Sequence, residues 1–389
     1  MARHISAGID IGTYHVKVVV AERTKEHPNP RIIGSGYAES QGMRYGYIIN
    51  SSDVLRSLKK AVDQAEKSAG VPIKRAFLAI GGVSLESHLT KGLTIISRGD
   101  NLITELDVNK VLQESERAIP DGDIINRKVL HTIPIKHTID KKKALGDPIG
   151  MRGIKLEVET LSITCLEQHL NDLIEAVEDI GIQVQDVVAA PLAASLVTLT
   201  KAEKIAGCVL VNIGSETVSM VVFEDNIPIS LAVFPIGSND ITNDIALGLQ
   251  VPLEEAEQIK LGGITSTHIS RKKLDEIIMA RLTDIFEIIE AHLNEIGKNG
   301  LLPAGVIITG GGSGVATIED LAKATLRLPS KIAELQVKGD KNGRIRDASW
   351  SVAYGLSLIG LIDEEDSVGI RVVKNTKRSL LSWVRQFLP

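Results

Sequence analysis

Gly8-Ile9-Asp10-Ile11-Gly12-Thr13-Tyr14-His15-Val16-Lys17 and, in the second half of the chain, Val211-Asn212-Ile213-Gly214-Ser215-Glu216-Thr217 are the stretches that decide the fold. Each reads as a strand, a glycine-containing turn and the start of a second strand. A third strand follows each one, at Arg31 to Tyr37 and at Ile229 to Phe234. Working outward, the first copy continues into a helix at Ser51 to Gly70, with apolar residues at Val54, Leu58, Ala61, Val62 and Ala65 and a glycine stop. A buried strand at Ala76 to Ile80 then ends in Gly81-Gly82. The second copy continues into helices at Asp240 to Leu249, Leu253 to Leu261 and Leu274 to Ile296. Its strand at Ala304 to Thr309 runs into Gly310-Gly311-Gly312, with a helix from Thr317. The pattern is an internal duplication of a β-β-β-α-β-α unit, and the fold class is α/β.

Between the copies the texture changes. Residues 83–164 carry strand-like alternation at Leu93 to Ser97 and Val129 to Ile139 around a helix at Asp107 to Ala118, and read as an inserted subdomain. Lys141-Lys142-Lys143 reads as a solvated turn. His131 and His137 sit six apart on one strand, so they are expected on one face but too far apart for one metal. Asp121 and Asp123 lack the other ligands of a calcium loop.

Composition narrows the function classes. The chain has 389 residues, 43% of them hydrophobic, enough for two or three domains with real cores. Aromatics are 3% and the net charge is −5, which argues against nucleic acid as a partner. Cys165 and Cys208 lie in apolar runs and read as buried small hydrophobes, with no disulfide framework. There is no signal-peptide pattern and no run long enough to span a membrane, so the expected compartment is the cytosol unless something other than a span reaches the bilayer.

The turns suggest chemistry. A Gly12-Thr13 turn lets backbone N–H groups face a phosphate oxygen. Asp10 is placed to hold a magnesium-bound water and Lys17 to reach a phosphate. A plain hairpin accounts for one such turn taken alone. Two of them, plus a strand running into three glycines and a helix, form a combination that chance seldom makes.

That combination resembles the actin-like ATPase superfamily and, within it, the FtsA family of bacterial division proteins, over nearly the whole chain. The most specific matches are Gln41-Gly42-Met43 with Gly46, Ala61-Val62-Asp63-Gln64-Ala65-Glu66, Val129-Leu130-His131-Thr132-Ile133-Pro134, Asp147-Pro148-Ile149-Gly150-Met151-Arg152-Gly153 and Glu257-Gln258-Ile259-Lys260. The resemblance implies an actin-like two-lobed fold. Its first nucleotide-binding lobe would comprise 1–82 and 165–200, its inserted subdomain 83–164, and its second lobe 201–235 and 300–362. A helical part of that lobe would cover 236–299, a linker 363–375 and a terminal amphipathic helix 376–389.

It also implies ATP with Mg2+ in the cleft. Gly12, Thr13 and Lys17 would line the first phosphate turn and Gly214, Ser215 and Thr217 the second. Glu257 and Lys260 would contact the ribose, and Gly310, Gly311 and Gly312 the adenine side. Asp10 and Asn212 would hold the metal through water. The implied role is an adaptor on the cytoplasmic face of the membrane at the division septum. It would self-assemble into actin-like filaments, hold the C-terminal peptide of FtsZ, and meet other division proteins through the insert.

The family usually has Asp at Asn212, a small residue at Glu216 and often Asp at Ser219; these departures point to slow or absent hydrolysis. A pilus-assembly homologue of the PilM kind and a sugar kinase of the superfamily are the alternatives. Within 240–300, Arg271, Lys272 and Lys273 form a basic patch suited to an acidic peptide, although a solvated run fits the same residues.

The C-terminus separates the alternatives. Leu380, Leu381, Trp383, Val384, Phe387 and Leu388 recur at helical spacing and form one apolar stripe. Arg378 and Arg385 fall opposite it and Lys377 near its edge. Such a segment suits a helix lying in a lipid interface.

Overall fold

The computed structural model describes residues 3–26, 29–263, 270–315, 317–335, 345 and 347–362. In chain order, β1 (His4–Ile11), β2 (His15–Arg23) and β3 (Arg31–Glu39) lead through two short strands, β4 (Met43–Arg44) and β5 (Tyr47–Ile48), into α1 (Ser51–Ala69) and β6 (Arg75–Ile80). The insert follows as β7 (Glu86–Ile95), α2 (Glu105–Arg117), α3 (Asp121–Ile124), β8 (Arg127–Ile139), β9 (Lys142–Lys143) and β10 (Lys155–Leu166). The chain returns as α4 (Glu167–Glu178), β11 (Gln183–Ala189), α5 (Ala190–Thr198) and α6 (Lys201–Ala206). The second half holds β12 (Cys208–Ile213), β13 (Val218–Glu224), β14 (Ile227–Phe234), α7 (Ser238–Leu249), α8 (Leu253–Lys260) and α9 (Arg271–Glu295). It ends with β15 (Gly305–Thr309), α10 (Ile318–Leu326), β16 (Ser330–Ile332) and α11 (Ser351–Ile362).

The duplication is explicit in the sheets. One is ordered β11-β6-β1-β2-β3 and the other β16-β15-β12-β13-β14, read in the same sense. In each, the first strand makes an antiparallel hairpin with the second and a parallel pair with the fourth. The hairpins match residue for residue: Ile11 faces Val16 as Ile213 faces Val218, and Asp10 faces Lys17 as Asn212 faces Ser219. The sequence periodicity explains α1: Asn50 caps it by accepting from the Asp53 amide, Gly70 ends it in a left-handed conformation, and its apolar stripe is buried against β2 and β3.

The insert is its own four-stranded sheet, ordered β7-β10-β8-β9, with a separate small core around Ile103, Val111 and Leu156. One sequence reading is corrected here. The ladder of β8 with β10 skips Ile135, and this bulge flips the alternation, so His131 and His137 fall on opposite faces. His131 is buried and its Nε2 accepts from the Ala189 amide. Cys165 and Cys208 are wholly buried, and burial pushes both thiols up to about 12. No helix among the described residues is long and apolar enough to cross a membrane.

Candidate functional site

The parallel pairing of β1 with β6 and of β12 with β15 puts each hairpin turn at the carboxyl end of the neighbouring parallel strand, and Glu216 of the second turn reaches Tyr45 of the first half. The turns are built alike. The Gly12 amide donates to His15 O at 3.1 Å and the Gly214 amide to Thr217 O at 2.9 Å, and a Cβ on either glycine would sit 2.9 Å from that same carbonyl. With the glycine amides turned inward, the N–H groups of Thr13 and Tyr14, and of Ser215 and Glu216, donate to no acceptor among the described residues. Two open amides at each turn offer a chemistry that suits an anion. The second turn is buttressed from behind: the Ser238 and Asn239 amides, at the start of α7, donate to Gly214 O and Ser215 O.

Behind the first turn lies a half-buried pair, Asp10 and Lys17. Burial lifts the Asp10 carboxyl to about 6, against the opposing charge of Lys17. Burial also lowers the Lys17 ammonium, with Asp10 and Asp347 pulling it back up. Lys17 Nζ donates to Ser349 O at 2.7 Å and lies 5.7 Å from the centre of the Trp350 ring. The ammonium expected to reach a phosphate is therefore engaged with the approach to α11.

On the opposite wall, Glu257 and Lys260 of α8 meet at 2.6 Å. Thr242 of α7 donates to Glu257 Oε2 at 2.5 Å, and Lys260 Nζ reaches Thr242 Oγ1 at 2.8 Å and Ser238 O at 3.2 Å. The pair is thus locked to α7 rather than loose on the surface. Glu257 also lies close enough to Tyr14, in the first turn, that its charge adds to burial in raising the Tyr14 hydroxyl.

The glycine run is split in role. Gly310 has φ 92°, and a Cβ there or on Gly312 would strike Ile213, so both let β12 pack against the turn. Gly311 has open space where its side chain would be. Asn212 sits beside this turn, its Oδ1 against Gly310. Among the described residues no three His, Cys, Asp or Glu side chains gather to hold a metal. With Asp10 as the sole carboxylate of the Asp10–Asn212 pair, these two do not form a cage for a bare cation.

Two contacts escaped the sequence reading. Glu216 Oε2 accepts from the Tyr45 amide at 2.5 Å, joining the second turn to the first half of the chain. Ser87 Oγ donates to Leu231 O at 2.7 Å and accepts from the Leu231 amide at 3.2 Å, fixing the insert to β14. The spaced glycines Gly42 and Gly46 were the one local signal that the segment around Tyr45 has a fixed shape.

Arg271, Lys272 and Lys273 occupy the first turn of α9 and are exposed; Lys272 lies 3.9 Å from Glu276. The tail residues Lys377, Arg378, Leu380, Leu381, Trp383, Val384, Arg385, Phe387 and Leu388, and the linker 363–375, lie outside the described residues.

Comparison with known proteins agrees with the duplicated architecture. A solved PilM–PilN type IV pilus biogenesis complex contains a chain superposing with TM-score 0.68 at 18% identity, over 92% of this chain and 98% of that one. MreB5 of Spiroplasma citri, solved bound to ADP, superposes with TM-score 0.52 at 12% identity, over 92% and 96%. These establish the actin-like fold. The family model described as an SHS2 domain inserted in FtsA matches residues 82–164, and that for cell division protein FtsA matches residues 209–355. The cell division protein FtsA of Pseudomonas aeruginosa is 30% identical over 94% of this chain and 91% of its own length. With the insert, both lobes and the family models all in agreement, the chain belongs to the FtsA family of cell-division proteins.

Proposed function

We propose that the chain is a nucleotide-gated adaptor that ties FtsZ filaments to the cytoplasmic face of the membrane at the division septum. The observation that carries the nucleotide half is the pair of matching turns, each with two open amides, facing the Glu257–Lys260–Thr242 network. In this reading Gly12, Thr13, Gly214, Ser215 and Thr217 surround the phosphates of ATP. Glu257 and Lys260 take the ribose hydroxyls, and the open side of Gly311, between Gly310 and Gly312, accepts the base. Asp10 and Asn212 would hold waters of a Mg2+ ion accompanying the phosphates, which would supply positive charge there. The nucleotide supplies a charged bridge between the lobes, and the chain's own groups bind and orient it. Lys17 steadies Asp10 and the α11 junction.

Hydrolysis is slow or absent in this reading. Asn212 brings no negative charge to the place that Asp10 holds in the first hairpin, so only one of the two positions offers a carboxylate. Arg271, Lys272 and Lys273 receive the acidic FtsZ peptide. Support comes from their position, because cations in the first turn of a helix oppose its dipole and gain no stability there. The insert meets other division proteins, the chain self-assembles, and the tail holds the lipid. Family membership favours this reading over the pilus-assembly and sugar-kinase alternatives.

Thermal unfolding with millimolar MgATP tests the first step, since a ligand bound only to the folded state raises the midpoint. Co-sedimentation of FtsZ with anionic liposomes, with and without the chain, tests the second. An unmoved midpoint together with FtsZ left in the supernatant removes the reading.

A further inference from the structure

We propose that the Glu216 carboxylate sets how this cleft distinguishes a nucleoside triphosphate from a diphosphate, by competing with the terminal phosphate for the second turn and the Tyr45 amide. The inference rests on the nucleotide reading and adds to it a determinant of phosphate number. Glu216 is the residue of the Gly214–Thr217 turn that stands between an open amide and the facing half of the molecule, and its Oε2 already accepts from the Tyr45 amide. The carboxylate is an internal anion on an amide donor at the mouth of an anion cradle.

The donor it uses is fixed. Tyr45 and Gly46 are the two central residues of the tight hairpin between β4 and β5, both at positive φ, 50° and 91°, as a turn of this hand requires. Tyr45 O accepts from the Val83 amide at 3.2 Å, and Gly46 packs backbone to backbone on Gly82, itself at φ 83°. Gly46 O is held by His169 Nε2 at 2.7 Å, and His169 Nδ1 meets Ser84 Oγ at 2.5 Å. A carbonyl only accepts, so Nε2 carries the proton, and in the neutral ring Nδ1 accepts from the serine hydroxyl. His169 and Ser84 are both buried. The Tyr45 amide is thus braced through β6, α4 and the root of the insert.

The consequence is a matter of like charges. A nucleotide's inner phosphates fall to the Thr13–Tyr14 and Ser215–Glu216 amides, whereas each further phosphate oxygen brought toward Glu216 repels it or displaces it from Tyr45. A triphosphate bears more of that cost than a diphosphate. Neutralising the side chain while keeping an acceptor oxygen for Tyr45 removes the repulsion and leaves the brace.

Calorimetric titration of the full chain with MgATP and with MgADP, for wild type, Glu216→Gln and Glu216→Gly, tests this. Glu216→Gln should tighten MgATP about tenfold and MgADP less than about threefold, and the difference should shrink at high salt. Hydrogen exchange without nucleotide should show faster exchange of the Tyr45 amide in Glu216→Gly. Equal gains for the two nucleotides, no gain, or an unchanged Tyr45 amide overturns the proposal and leaves the nucleotide reading standing. Absence of binding by all three proteins removes the nucleotide reading and this inference with it.

Discussion

Asp10 and Asn212 stand at equivalent places in the two hairpins, one ionisable and one not. The difference has a measurable sign. Burial raises Asp10 to about 6 in the folded chain, against an ordinary value near ~3.9 when unfolded. The folded state therefore binds this proton more tightly. Its stabilising contribution is complete below about pH 4 and is lost as the pH rises through about 6. Asp10→Asn mimics the geometry that the second hairpin already accepts and cannot ionise. Between about pH 4 and pH 7.5 the nucleotide-free variant should gain on the order of 2 kcal/mol relative to wild type by urea unfolding. Parallel pH profiles for the two proteins would count against a buried ionisable Asp10. Lys260 poses the complementary case. Its side chain is only 6% exposed and serves Glu257, Thr242 and Ser238 at once. Lys260→Met leaves the Glu257 carboxylate without its cation. It should cost roughly 1–3 kcal/mol in unfolding free energy, with a further loss of nucleotide affinity read by calorimetry.

At the scale of elements, the insert is tied to both halves, and Ser87 adds a bracket of two hydrogen bonds to the packing that joins it to β14. Ser87→Ala removes a donor and an acceptor from the Leu231 backbone beside a bulge in the β13–β14 ladder. Amide exchange over residues 229–233 should accelerate by about fivefold to tenfold while global stability falls by no more than about 1.5 kcal/mol. Unchanged exchange there would mean that the bracket carries no load. The elements legible from sequence were those with a clear period and a clear stop: the two hairpins, α1, α7, α8 and the strand entering the glycine run. Several helices were not, and two of them show why. α5 and α11 are made almost entirely of small and apolar residues and are enclosed on all sides, so no polar face marks their period. Gly355 and Gly360 sit inside α11, where they admit Ala193 and Phe77 at close range. The site was half legible for a similar reason. Turns and the Glu257–Lys260 pair are local patterns. The Glu216–Tyr45 and Lys17–Ser349 contacts join residues distant in sequence, and the bulge that separates His131 from His137 leaves no mark in composition.

For the whole molecule, the proposal turns on how weak contacts become a firm tether. The tail, outside the described residues, carries six apolar side chains at helical spacing with Lys377, Arg378 and Arg385 beside them. Each fully buried side chain contributes about 1.5–3 kcal/mol at most, while ordering a segment costs about 1–2 kcal/mol per residue. The two nearly cancel, so one tail should hold a bilayer weakly and reversibly, as a single lipid chain does. Self-assembly changes the arithmetic, because each added copy presents its tail at high effective concentration and the array binds by avidity. Conditions that promote assembly should therefore promote sedimentation with liposomes, with a steep dependence on protein concentration. Anionic lipid should help through the three cations. Trp383→Glu should abolish liposome binding at every protein concentration while leaving the thermal midpoint within about 1 °C of wild type, since on this proposal the tail serves the lipid and not the core. If Trp383→Glu sediments with vesicles as wild type does, the tail is not the tether, and the membrane part of the proposal falls with it.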